Sequence, residues 1–336
     1  MIHAVVFFVL LGVPQDDSSL SKMEKEIQAV LEKVRPSVAL VTAVFKLESG
    51  QTVEELTFSG VVYSREGHVV TDASGVDQAA EIHVRAGGQV GRAKHVASDK
   101  RTGVAVLRVD LPNLIPAAFA EEPARPGTTA IAVGNALGAR WSAAVGTVTA
   151  RGLSVLVKNR RFDDLLQVTS PVQPGDCGGF VADAAGRFIG LVHSGAAPEL
   201  EHGAPGNLLP LFDKQERDLR GAARGSGFVT AAEWVRFSAD RIIKHGRMVR
   251  GWIGLSARPI ESGVEVIRVD FEGPARRAGI AVKDVLLEFD GEAVKDVDAL
   301  RWKVARAETG RTVKVVVARE RERLSVDLGL EIDPQK

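Results

Sequence analysis

The one cysteine of this 336-residue chain, Cys177, stands in the segment Pro174-Gly-Asp-Cys-Gly-Gly179. A thiolate is a competent nucleophile and needs less activation than a hydroxyl, but it still requires a base within hydrogen-bond reach. The histidines that could serve are His68, His83, His95, His193 and His202. The first three fall in or beside segments of strand character and read as surface or otherwise satisfied residues. His193, in Gly190-Leu-Val-His-Ser-Gly195, is the alternative base. A single thiol makes no internal disulfide, so stability rests on packed cores. The thiol and the scattered histidines lack metal-site spacing, and no nucleotide motif occurs, so neither metal nor cofactor is expected.

The elements that must position these groups are legible in outline. Lys+Arg and Asp+Glu balance at 43 each, which gives no argument for a nucleic-acid partner. The length suits two domains, and the wealth of Val and Ala favours β-rich, tight cores. Residues 1–14 open with a short apolar run, Met1-Ile-His-Ala-Val-Val-Phe-Phe-Val-Leu-Leu-Gly-Val13. It has the length of a signal-peptide core or short anchor and is too short to span a bilayer comfortably. Leu20, Met23, Ile27, Val30, Leu31 and Val34 then recur at helical spacing. Ser18, Ser19 or Ser21 caps that helix, and Pro36 ends it. Strands follow at 38–45, 57–63, 68–71, 81–85, 103–109, 129–133, 144–150, 165–168, 179–182 and 187–192. Many short strands without intervening helices point to a sandwich or closed barrel. Residues 195–227 read as a long loop, 228–245 as a helix stopped by Gly246, and 251–330 as a second unit of strands and short helices.

Six segments, in order from about Ile27 to Leu330, resemble the HtrA/Deg-type proteases. Ile27 to Val38 is similar to the family's helix leading into the first strand. Phe58-Ser-Gly-Val-Val-Tyr and Gly67-His-Val-Val-Thr-Asp-Ala-Ser-Gly-Val76 are similar to the strand pair that delivers the catalytic histidine. Ser98-Asp-Lys-Arg-Thr-Gly-Val-Ala-Val-Leu107 is similar to the segment of the catalytic aspartate, and Ala130–Gly138 to the strand opening the second barrel. Gln167 to Gly179 is similar to the nucleophile loop, and His245-Gly-Arg-Met-Val-Arg-Gly-Trp-Ile-Gly254 to the junction into a PDZ domain. The resemblance implies a mostly β protein: a trypsin-like double six-stranded β-barrel within 15–248, followed by an α+β PDZ domain at 249–336. It also implies export, with the protein periplasmic or anchored on the outer face of the inner membrane, and a trimer.

The departures bear on activity. The resemblance expects histidine where Ser74 stands, aspartate where Gly103 stands, and serine where Cys177 stands. Ser74 takes up no proton usefully near neutral pH, and Gly103 has no side chain with which to orient a base. The loop around Cys177 matches a turn whose Gly175, Asp176 and Cys177 form an oxyanion-hole-like nest, although Phe180 replaces the proline usual after the double glycine. The same loop resembles that of picornaviral cysteine proteases. In the PDZ unit, Arg250, Gly251, Trp252, Ile253, Gly254 and Leu255 match the loop that captures a peptide C-terminus, and Leu300 lies on the helix opposite. At least two of Val297, Leu300 and Val304 are expected in the core. Three readings stay open: a non-catalytic binder of peptide C-termini or unfolded proteins, a cysteine endopeptidase built on Cys177, and a structural partner in mixed oligomers with active relatives.

Overall fold

The computed structural model describes residues 18–46, 49, 52–135, 141–157, 160–173, 175–193, 227–261, 263–320 and 322–332. The N-terminal apolar run and most of the 195–227 segment, with His202, lie outside them. Helix α1 (Ser19–Val34) starts where Ser18 Oγ accepts the Ser21 N–H at 3.2 Å. It buries only Val30 and Val34, while Leu20 and Met23 stay exposed. The chain then enters a closed barrel of β1 (Val38–Lys46), β2 (Thr52–Val62), β3 (His68–Asp72), β4 (Glu81–Ala86), β5 (Gln89–Asp99) and β6 (Val104–Val109), in the order β1-β2-β3-β6-β5-β4. A second closed barrel holds β7 (Thr129–Gly134), β8 (Ser142–Val157), β9 (Arg160–Val168), β10 (Phe180–Ala182), β11 (Phe188–Val192) and β12 (Gly227–Ala231), in the order β10-β11-β12-β9-β8-β7.

The barrels share a core in which Val61, Val70, Val104, Val106, Ile131, Val133, Phe180 and Phe188 interlock. Burying each such side chain contributes about 1.5–3 kcal/mol, so each strand end that carries a site residue is firmly held. Phe180 is 1% exposed and sits within this core, which accommodates it where the family uses proline.

The segment 228–245 differs from the sequence reading. Gly227–Ala231 is strand β12, which closes the second barrel by pairing with β9 and β11, and helix α2 (Ala232–His245) begins only after it. Val229 and Thr230 are β-branched and favour an extended chain. Their burial between two neighbouring strands overrides the helical spacing of the apolar residues that follow. Helix α2 packs Val235, Ala239 and Ile242 against both barrels and ends at Gly246.

The C-terminal unit contains β13 (Gly251–Trp252), β14 (Leu255–Ile260), β15 (Gly263–Val269), helix α3 (Pro274–Arg277), β16 (Val285–Phe289), β17 (Glu292–Ala293), helix α4 (Val297–Arg306), β18 (Thr312–Arg319), β19 (Glu322–Gly329) and β20 (Glu331–Ile332). Its main sheet runs β14-β15-β16-β18-β19, which leaves β14 on the edge. Leu300 and Val304 of α4 are buried in its core, and Val297 packs against it. The unit is seated on α2 through aromatic contacts. Trp302 meets Trp234 with ring centroids 3.8 Å apart, and Arg250 lies over the Trp234 ring at 5.5 Å.

Candidate functional site

The cleft between the barrels collects the ends of β3 and β11, the turn before β6 and the loop before β10. Ser74 is exposed in the short turn after β3; its N–H and Oγ both donate to Asp72 Oδ1, at 2.9 and 2.5 Å. The Asp72 carboxylate is 1% exposed, and its other oxygen meets His193 Nδ1 at 2.8 Å. His193 follows β11, is 3% exposed, and lies against the Phe162 ring with centroids 4.1 Å apart. Its Nε2 has no hydrogen-bond partner among the described residues, the Cys177 sulfur included. The structure thus brings His193 to Asp72 and not into hydrogen-bond contact with Cys177.

Gly103 explains how the imidazole fits. A Cβ on Gly103 would lie 2.5 Å from His193 Cε1 and 2.9 Å from Nδ1. Its φ of 72° is also one that side-chain-bearing residues seldom adopt. His193 therefore occupies the room that an acidic side chain at position 103 would need. The Gly103 carbonyl accepts the Ala73 N–H at 2.7 Å, which fixes the two turns against each other.

The loop around Cys177 is tied down on every side. Ser59 N–H donates to Cys177 O at 3.0 Å, Ser59 Oγ to Gly175 O at 2.8 Å, and Gly178 N–H to Val192 O at 2.8 Å. A Cβ on Gly178 would strike Ser59 O and Thr71 Oγ1 at 2.3 Å, so only glycine allows this approach. The backbone N–H groups of Cys177 and Gly175 favour the ionised thiol. The Asp176 N–H donates to Gln173 O at 3.0 Å, so it is not open to an oxyanion as the sequence reading expected. The Asp176 carboxylate is instead a brace, accepting Ser142 Oγ at 2.6 Å and Gln173 N–H at 3.0 Å. Burial, then the Asp72 and Asp176 carboxylates, push the Cys177 thiol up to about 12, against the pull of the two N–H groups. At pH 7 such a thiol is overwhelmingly protonated.

The other histidines sit elsewhere. His68 Nδ1 is 2.9 Å from Ser64 Oγ, His95 Nε2 is 2.8 Å from Ser98 Oγ, and His83 is exposed beside Glu81. Among the described residues no group of three His, Cys, Asp or Glu side chains could hold a metal ion.

The second site is the groove beside β14. Arg250, Gly251, Trp252, Ile253, Gly254, Leu255 and Leu300 help line a cavity of about 320 Å³. The Ile253 and Gly254 N–H groups donate no hydrogen bond to a described residue. Arg250 is itself buried, and its guanidinium pairs with the Asp99 carboxylate of the first barrel. Asp99 also accepts Ser238 Oγ at 2.6 Å, Thr102 Oγ1 at 2.7 Å and the Arg101 N–H at 3.0 Å. Burial alone would raise the Asp99 carboxyl, but Arg250 and these donors outweigh it and hold the group below the usual range. Sequence reasoning missed Asp72 and Asp99. Both stand inside the recognised segments, and their signal is a carboxylate just before a turn that carries a triad position.

Comparison with known proteins agrees with this architecture. A trypsin-like peptidase domain matches residues 58–191 and a PDZ domain matches residues 251–330. A protein of Brucella suis biovar 1 (strain 1330) named "Probable periplasmic serine endoprotease DegP-like" is 29% identical over 292 residues, covering 82% of this chain and 52% of its own length. A protein of the same name from Chlamydia muridarum is 27% identical over 276 residues, covering 78% of this chain and 51% of its own. The chain spans about half the length of these curated relatives. Among solved structures, the HtrA-type protease AlgW with a tripeptide superposes with a TM-score of 0.73 at 25% identity, covering 92% of this chain and 98% of AlgW. Fold and site thus define a trypsin-like double barrel joined to a PDZ domain. Within that class, the chain is similar to HtrA-type proteases such as AlgW.

Proposed function

We propose that this chain is a non-catalytic HtrA-type protein that binds peptide C-termini or unfolded segments through its PDZ groove and acts as an adaptor, chaperone-like factor or regulator. One observation carries the reading. The buried imidazole of the cleft is committed through Nδ1 to Asp72 and fills the space at Gly103, and among the described residues no imidazole is hydrogen-bonded to Cys177. Peptide cleavage by a thiol needs a base to take the Sγ proton and return it to the leaving amine. Ser74 and Gly103 supply neither that base nor its orienter. Peptide binding is supported by the edge position of β14, by the Ile253 and Gly254 N–H groups, and by AlgW having been solved with bound peptides. The names of the relatives support export to the periplasm, and the family supports a trimer by analogy.

A cysteine endopeptidase is the second reading, favoured by the Cys177 and Gly175 backbone N–H groups, which pull the thiol toward its ionised form. Incubation of the full chain with unfolded casein separates the two. We expect intact casein after long incubation. Turnover that disappears in Cys177→Ala overturns the non-catalytic reading.

A further inference from the structure

The start of the PDZ loop is tightly packed. A Cβ on Gly251 would lie 2.2 Å from Val304 O and 3.4 Å from Ala307 O, so the loop rests directly on the last turn of α4. Arg250, one residue earlier, is buried; its guanidinium pairs with Asp99 of the first barrel and lies over the Trp234 ring at 5.5 Å. The barrels and α2 also reach the groove itself. Arg101, Thr102, Asp164 and Trp234 line the same cavity as Ile253, Gly254 and Leu300. All four are braced. The Arg101 N–H donates to Asp99 Oδ1 at 3.0 Å, and Thr102 Oγ1 donates to Asp99 Oδ2 at 2.7 Å. Trp234 Nε1 donates to Asp164 at 2.5 Å, and Trp302 of α4 packs on the Trp234 ring. The groove therefore meets a stiff wall from another domain beside its carboxylate loop.

We propose that this wall closes the groove at its carboxylate end, so that the site takes the free C-terminal ends of polypeptides and excludes their internal segments. The inference rests on the peptide-binding reading and deepens it by naming the ligand class. The Ile253 and Gly254 N–H groups take the terminal carboxylate, and β14 pairs with the ligand backbone as an added strand. An extended chain advances about 3.3 Å per residue, so three residues continuing past the loop need roughly 10 Å of room. Trp234 and the turn carrying Arg101 and Thr102 occupy that side of the loop. Selectivity then comes from a clash with the unwanted ligand, not from added attraction to the wanted one.

The test holds ligand charge constant and varies length. Three fluorescein-labelled peptides share a sequence ending in valine: the free acid, its amide, and an amide extended by Gly-Gly-Gly. Anisotropy with the full chain is expected to show the short amide binding about tenfold more weakly than the acid. The extended amide should bind at least about tenfold more weakly again. Arg101→Ala, an exposed substitution that lowers the wall, should bring the extended amide within about threefold of the short one. Trp234→Leu, with folding checked by circular dichroism, should act in the same direction. Equal binding of the two amides by the parent chain overturns the end stop and leaves the peptide-binding reading standing. A second loss that persists undiminished in both variants overturns the assignment of the stop to these residues. Failure of the acid to bind overturns the underlying reading as well.

Discussion

The cleft and the groove have fared differently in the same chain. On the proposed reading, proteolysis in the cleft would depend on three side chains at fixed points, where Ser74, Gly103 and Cys177 stand. The groove depends on backbone N–H groups, an unpaired strand edge and a helix wall, and these are in place at Ile253, Gly254, β14 and α4. A site made of main chain persists as long as the fold does, whereas a site made of side chains is lost by substitutions that leave the fold intact. Even within the cleft the division holds on this reading: the backbone N–H groups of Cys177 and Gly175 favour the thiolate, while among the described residues no imidazole is hydrogen-bonded to the sulfur.

The sharpest way to break this contrast is to restore the cleft. Ser74→His with Gly103→Asp should not yield a protease. We expect a loss of roughly 3–4 kcal/mol in urea unfolding, since position 103 combines a positive φ with a Cβ 2.5 Å from His193. A stable double variant that degrades casein would remove the contrast. Next in size, Asp99→Asn, which leaves Arg250 buried beside a neutral partner, should cost about 2–3 kcal/mol. Asp99 is held below its ordinary value in the folded chain, so its contribution is present above the unfolded value and is lost as pH falls through the folded one. The parent and Asp99→Asn should therefore converge in stability on acidification below about pH 4, which chemical denaturation at several pH values will show.

A smaller effect sharpens the groove side. Amidating the C-terminus of a bound peptide should weaken binding about tenfold by calorimetry, because the loop loses its charged acceptor. Equal affinity for acid and amide would remove carboxylate capture. The smallest expected effect concerns the thiol. Cys177 should alkylate slowly at neutral pH and accelerate only as pH climbs toward about 12. His193→Ala should leave that rate within about twofold, because the imidazole makes no hydrogen bond to the sulfur. A large drop would restore the cysteine dyad.

The fold was readable wherever apolar residues alternate strongly, as in Val104–Val109 or Phe188–Val192. It was not readable in Gln89–Asp99, where Gln89, Arg92, Lys94 and His95 dilute the pattern of a strand held by its neighbours β4 and β6. The start of α2 was placed too early because Phe228 and Ala231 fit a helical spacing as well as a strand pairing. Of the site, the triad positions and the PDZ loop stood out because residue type and order carry them. The Asp72–His193 contact did not, since it joins residues 121 apart in the chain and depends on a void that a glycine leaves open. The Asp99–Arg250 pair was hidden for the same reason, its partners lying in different domains.

The mutual exclusion of His193 and a side chain at Gly103 also bears on ancestry. Aspartate is a single nucleotide away from half of the glycine codons, so the return of an acid at position 103 is an easy mutation to draw. Here it would arrive into a space already filled by an imidazole. An acid could stand there without that collision only after His193 had been replaced, and that first step takes the imidazole from the buried Asp72 Oδ2 and leaves it the Ser74 donors at Oδ1. On the proposed reading the glycine and the histidine thus act together as a ratchet, closing the one-step route to an acid at position 103.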